Sequence, residues 1–472
     1  MPRDRTVPLI IAVALFMENM DSTVIATSLP AIASDIGTNP LALKLAVTSY
    51  LLSLAIFIPA SGWTADRFGA RTVFRAAIAV FMLGSIGCAL SGSLTDFVIA
   101  RIVQGMGGAM MTPVGRMVVV RTISKRELVG AMAWVTTPAL IGPVLGPPVG
   151  GFITTYATWH WIFIINVPIG LLGIFLATRY IPDVRAEEHE RFDVVGMILA
   201  GLGIGGMAFG LSVLGLNFLP WTFVAALIFG GACFFAAYLA HARRIENPAL
   251  DLSLFRLPTF FASVCGGFIF RLGLGALPFL LPLMLQIGFG MTPFQSGTIT
   301  FVSALGAMGM KWATAFIIHQ FGFRNILVVN SIVSSAFLAV CAGFTATTPI
   351  ALMTILLFVG GFFRSLQFTS INTIAYAEVE PRRIGRATAL VSVAQQLAVS
   401  AGVAIGAMAV ELTVYLKGSG ALQAADFPPA FLAVALISTL SVVIFARLSP
   451  DAGAELADRL PTPAETSDQR AG

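Results

Sequence analysis

Fourteen apolar stretches of roughly 20 residues, divided by short polar connectors, run through this 472-residue chain. A helix of about 20 apolar residues matches the ~30 Å hydrocarbon layer of a bilayer. Inside lipid every backbone amide needs an internal partner, so only helices or closed barrels can cross. A barrel would show short alternating segments, and none is apparent. The chain therefore reads as an all-α polytopic membrane protein. Its charged fraction is 11%, against about 25% in soluble domains, and this overrules a length that would otherwise suggest three soluble domains.

The stretches fall near 8–30, 43–61, 72–92, 97–118, 129–150 and 159–179, then 194–214 and 219–240, then 259–285, 295–313, 325–344, 348–373, 387–410 and 428–446. Two charged connectors, 179–193 and 241–258, bracket the central pair. The division is an N-terminal six-helix bundle (1–180), a linker with spans seven and eight (181–257), a C-terminal six-helix bundle (258–447) and a disordered cytoplasmic tail (448–472). Arg3 and Arg5 before an apolar run imitate a signal peptide, but Glu18 and Asp21 inside that run mark it as an uncleaved first helix.

With the N-terminus placed in the cytoplasm, 23 of the 28 Lys and Arg residues fall on the cytoplasmic side. Only Lys44 and Lys417 fall outside, and Arg101, Arg271 and Arg364 lie within spans. This asymmetry obeys the positive-inside rule and predicts that both termini are cytoplasmic. The net charge of +5 is spread over short loops and does not argue for nucleic acid. The four cysteines sit in apolar runs without C-x-x-C spacing, which disfavours both a zinc site and disulfides. No G-x-x-x-x-G-K-S/T loop encodes an ATPase. No soluble segment is long enough to hold an enzyme.

A weak internal repeat is visible. Arg67-Phe68-Gly69-Ala70-Arg71 aligns with Gln320-Phe321-Gly322-Phe323-Arg324, 253 residues later. Each follows a second span and precedes a third when counting restarts at span nine. Duplicated halves of this kind are common among secondary transporters.

Polar residues inside the spans are the candidates for chemistry, because a charge at mid-membrane is costly unless it faces protein or water. Asp21 lies about thirteen residues into the first span, and Glu18 shares its helical face. A carboxyl there can take and release a proton as access alternates; the other reading is a structural hydrogen-bonding group. Arg101 stays protonated and can only polarise an acid or water, or reach out to the headgroups. Gly142, Pro143, Gly146, Gly150 and Gly151 make a smooth, kinked strip suited to a moving seam between halves, or to simple packing. Gly62, Asp66, Arg67, Gly69, Arg71 and Arg75 form a short charged loop, read as an inner gate whose arginines pair across to the other half in one state. Its charges also hold the loop inside. Gln104, Asn166, Arg271, Arg364, Gln367, Asn372 and Gln395 are candidates for a cavity lining. Arg271 suits an anionic group, a balance for Asp21, or a structural ion pair.

These motifs together resemble the fourteen-helix drug:proton antiporter branch of the major facilitator superfamily. Met20-Asp21-Ser22-Thr23 with Leu29-Pro30, the Gly62-to-Arg71 loop, Arg101-x-x-Gln104-Gly105, the span-five glycines and Trp159-His160-Trp161 with Asn166-Val167-Pro168 all carry the likeness, which covers nearly the whole chain. Within the branch the chain resembles bacterial inner-membrane multidrug-resistance transporters. The resemblance implies two six-helix bundles plus two added central helices, both termini inside, and efflux of amphipathic organic compounds in exchange for protons. It implies no cofactor beyond the proton gradient, a monomer in the lipid bilayer, and a periplasmic adaptor as a candidate partner. Ala26, Glu18 and Arg364 depart from the branch's pattern, and they leave the substrate open. Two other functions stay open: a proton-coupled transporter of one metabolite, and a non-transporting membrane sensor.

Overall fold

The computed structural model describes residues 3–123, 127–182, 193–214, 219–245, 247–418 and 422–457. Most of the first connector, Lys125, Arg126 and the tail from 458 lie outside the described residues. Fourteen helices of thirteen or more residues organise the rest: α1 (Arg3–Val24), α2 (Lys44–Phe57), α3 (Ala70–Ala89), α4 (Leu94–Thr122), α5 (Leu128–Tyr156), α6 (Asn166–Tyr180), α7 (Val194–Val213), α8 (Trp221–Ala242), α9 (Gly267–Leu283), α10 (Pro293–Phe321), α11 (Phe323–Val340), α12 (Ile350–Ile374), α13 (Ile384–Lys417) and α14 (Phe427–Thr439). Among the described residues, thirteen helical stretches are long and apolar enough to cross a membrane. The remaining helix, α5, has 29 residues and carries Pro138, Pro143, Pro147 and Pro148.

Local sequence sets the breaks. Thr292 and Gln295 form a reciprocal capping box that starts α10. Ser93 accepts the amide of Asp96 to start α4. The stretch expected as a loop around Asp66 is helical from Ser61 to Phe68, and the turn is confined to Gly69 at φ 89°. Gly322 repeats this at φ 74° between α10 and α11. A side chain at positive φ is strained, so both repeat copies use glycine at the one residue where the chain must reverse.

Helix pairing repeats as well. In the first set α1 packs on α5 and α6, α3 on α4 and α6, and α2 on α4. In the second set α9 packs on α13 and α14, α11 on α12 and α14, and α10 on α12. Raising each number in the first pattern by eight gives the second. The two sets meet along α2–α13 and α5–α10, pairs that exchange under the same operation. Helices α7 and α8 pair with each other, and α7 lies on both α2 and α13, astride the seam.

The apolar core crosses the seam most extensively at the end that carries Trp159. There Leu29, Leu43, Phe97 and Phe163 share one cluster with Leu280, Met284, Met353 and Phe431. Toward the Asp66 end each set has a cluster of its own, and a further cluster joins Ala55 of α2 to Leu390, Val391 and Val393 of α13. The tail expected to be disordered from 448 stays packed at first, with Leu448 and Ala452 buried against the second set.

Candidate functional site

The site is delivered by close packing of α2 and α3 on α4. A Cβ at Gly105 would sit 2.7 Å from the Tyr50 carbonyl oxygen, and one at Gly84 would sit 2.5 Å from the Gln104 Cα. Glycine at these two positions lets the helices approach until Arg101 and Gln104 reach α1. Asp21, fully buried, is ion-paired to Arg101 at 2.7 Å. Its other oxygen accepts from Gln104 Nε2 at 2.9 Å and from Asn166 Nδ2 at 2.8 Å. Gln104 also donates to Ser85 at 2.7 Å, and its carbonyl accepts from Arg101 at 2.6 Å. The Arg101 guanidinium stacks over Tyr50, 4.1 Å from the ring centroid, and donates to the Ala46 carbonyl at 3.4 Å. A charge pair this deep is tolerable only when its remaining hydrogen-bonding capacity is met, and here four helices and Ser85 supply the partners.

Glu18 sits one turn before Asp21 but takes a different environment. It accepts from Thr112 at 2.7 Å and lines a cavity of about 260 Å³ at the seam. Asn19, Tyr50 and Arg101 border the cavity from the first set, and Phe279, Gln395 and Gln396 from the second. Asp21 stands behind Arg101, outside the lining. The two acids of α1 are thus divided: one is locked in an ion pair and the other faces space open to a solute.

The second set has its own polar cluster. Gln367, fully buried, donates to Ser331 at 2.7 Å and accepts from Asn330 at 3.0 Å. Arg271 donates to Asn372 at 2.7 Å and lies over the Phe368 ring at 5.1 Å. Arg364 donates to Ser303. Neither arginine reaches Asp21, whose charge partner is Arg101. Of the proposed lining residues only Gln395, with Glu18 and Arg101, borders the seam cavity; Gln104 and Asn166 serve Asp21 instead.

The remaining candidates stand elsewhere. Asp66 pairs with Arg121 of the same set at 2.7 Å. Arg67 lies over Trp63 and Phe68 of its own helix. The span-five strip meets α1 rather than the seam for most of its length: Gly142 faces Phe16 and Asn19, Gly146 faces Thr23, and Gly150 faces Val24. Only Gly151 meets the second set, at Pro293.

Sequence reasoning missed the polar ties across the seam. Lys44, fully buried, places its ammonium 2.9 Å from both oxygens of Glu411. Gln286 donates to the Thr27 carbonyl at 2.9 Å, and the Phe294 amide donates to Thr155 at 3.1 Å. All three lie toward the Trp159 end. The signal for the first was a lysine within one residue of an apolar run, which reads as an ordinary loop charge. Tyr50 and Ser85 were also missed, since one tyrosine or serine in a span carries no pattern.

Lipid-length helices in two similarly paired sets, with a cavity of mixed apolar and polar lining between them and a buried ion pair beside it, define a membrane transporter rather than an enzyme. The chain belongs to the Major Facilitator Superfamily, whose profile matches residues 11–403 and again 263–468. It is 38% identical over 452 residues to the "Putative multidrug resistance protein MdtD" of Salmonella heidelberg (strain SL476), covering 94% of each chain. The same identity and coverage hold for the protein of that name from Salmonella typhimurium (strain LT2). Among solved structures, the D-xylose–proton symporter superposes with a TM-score of 0.66 at 15% identity, over 95% of this chain and 98% of that one. A bacterial homologue of the human lysosomal transporter Spinster, inward-facing and unoccupied, superposes at 0.64 and 15%, over 98% and 99%. These two share the fold.

Proposed function

We propose that this chain exports amphipathic organic compounds across the bacterial inner membrane in exchange for protons, by alternating access. The observation that carries the reading is the Asp21–Arg101 pair, buried one turn from an acid that lines the seam cavity. In this reading α5 is the fourteenth span, both termini are cytoplasmic, and the Trp159 end faces out. Cross-seam ties gathered at that end then make this the inward-facing state. A proton taken up at Asp21 from the outer side, in the opposite state, releases Arg101 and favours inward opening, and its loss to the cytoplasm re-forms the pair seen here. A compound entering beside Glu18 favours release of that proton to the cytoplasm. Ligands and protons shift such an equilibrium only by differential affinity for the two states. Asp66, Arg67, Arg71 and Arg75 act at the inner gate, and α7–α8 move as a strap over the α2–α13 seam. The names of the relatives support a multidrug substrate range.

The test is flux in proteoliposomes with an imposed pH gradient, with rhodamine 6G and tetraphenylphosphonium as probes. Accumulation of either compound against its own gradient, abolished by collapsing the pH gradient, is the expected result. Movement that ignores the pH gradient would overturn the antiport reading.

A further inference from the structure

Tyr50 is a residue to which neither the sequence motifs nor the ion-pair network assigns a role. Its ring is held from one side by Arg101, 4.1 Å from centroid to guanidinium carbon, and it borders the seam cavity. Its side chain is almost wholly buried, yet the hydroxyl has no hydrogen-bond partner. Buried hydroxyls nearly always have one, so this group waits for a partner that the protein does not supply. The surroundings show where that partner enters. A Cβ at Gly108 would lie 3.2 Å from the hydroxyl and 3.7 Å from Glu18 Cγ. Glycine at 108 therefore keeps open the space that Tyr50 and Glu18 share. Thr112 occupies one Glu18 oxygen, and the other has no hydrogen bond among the described residues.

We infer that Tyr50 is a substrate-positioning residue, whose hydroxyl donates a hydrogen bond to an acceptor oxygen on a bound amphipathic compound beside Glu18. The ring's task is separate: it fixes Arg101 whether or not the cavity is filled. The chemistry favours compounds with an ester, ether or ketone oxygen on an apolar body over apolar ions of similar size without an acceptor. This inference rests on the seam cavity being the substrate site.

The experiment measures binding of two probes to purified full-length protein in nanodiscs: rhodamine 6G, which carries an ester, and tetraphenylphosphonium, which offers no acceptor. In Tyr50→Phe the ring stays over Arg101 and only the hydroxyl is lost. Rhodamine 6G affinity is expected to fall about tenfold, the size of one hydrogen bond, with tetraphenylphosphonium held within about twofold. Gly108→Ala presses on the same hydroxyl and should show the same selectivity. Unchanged rhodamine 6G binding in Tyr50→Phe, or parallel losses for both probes, would overturn the role of the hydroxyl while leaving the cavity reading intact. Failure of the wild type to bind either probe would overturn both.

Discussion

Replacing Glu411 by alanine strips the cross-seam charge from a lysine that has no exposed surface. Lys44 is 0% exposed and the Glu411 side chain 18%, with both contacts at 2.9 Å. Removing one partner of a buried pair costs about 3–5 kcal/mol, because the other charge is left uncompensated. The partial exposure of Glu411 places this case at the low end, about 3 kcal/mol after screening. In the proposed cycle that cost falls on the state in which the Trp159 end is shut, which is the arrangement that holds the pair here. About 3 kcal/mol is roughly a hundredfold change in the ratio of shut to open forms. The assay is electron–electron resonance between spin labels at Leu90 and Thr347, both exposed near the Trp159 end and on opposite sets, with the exposed Cys233 replaced beforehand. Glu411→Ala should add a population at longer distance. The double change Lys44→Met with Glu411→Leu removes both charges and should restore the wild-type distribution, because apolar substitutes for a buried pair are close to neutral. Unchanged distances in Glu411→Ala would refute the reasoning, as would a double variant as open as the single one.

Other expectations follow from the same geometry. Gly150→Ala drives a methyl into Val24 and Thr27 of the first span; overpacking against fixed backbone should cost about 1–3 kcal/mol and lower the melting temperature in detergent. In the second connector, burial pushes the Asp251 carboxyl up, but hydrogen bonds from Ser253 and the Arg383 guanidinium outweigh it and hold the group below its ordinary value. Its contribution to stability is therefore present above the unfolded value near pH ~4 and is lost as pH falls through the lower folded value. Arg383→Ala should remove part of that acid sensitivity and speed hydrogen exchange over 247–256, at 2.7 Å from the lost partner.

The sequence exposed the architecture because lipid punishes unsatisfied backbone so severely that each crossing must be a long apolar run. It also exposed Asp21, Arg101 and Gln104, since polar groups stand out in such runs. What they touch was harder to read. Nothing in the chain's order says that Asn166, 145 residues away, turns toward Asp21. The glycine strip on α5 illustrates the limit: its spacing shows a flat face, but that face meets α1 rather than the seam for most of its length. Arg101-x-x-Gln104 and Arg364-x-x-Gln367 recur at corresponding places in the two sets. Only the structure shows the difference: the first holds an acid, and the second holds Ser303, Asn330 and Ser331.

The account stands on proton exchange at the Asp21–Arg101 pair, so the most direct measurement follows lumenal pH in proteoliposomes as rhodamine 6G is added, for wild type and Asp21→Asn. Compound counterflow, which needs no net proton movement, reports in parallel that the variant is folded and can still cycle. The account expects wild type to move protons in the direction opposite to the compound, and Asp21→Asn to retain counterflow while its proton signal disappears. Wild-type proton movement in Asp21→Asn would contradict it.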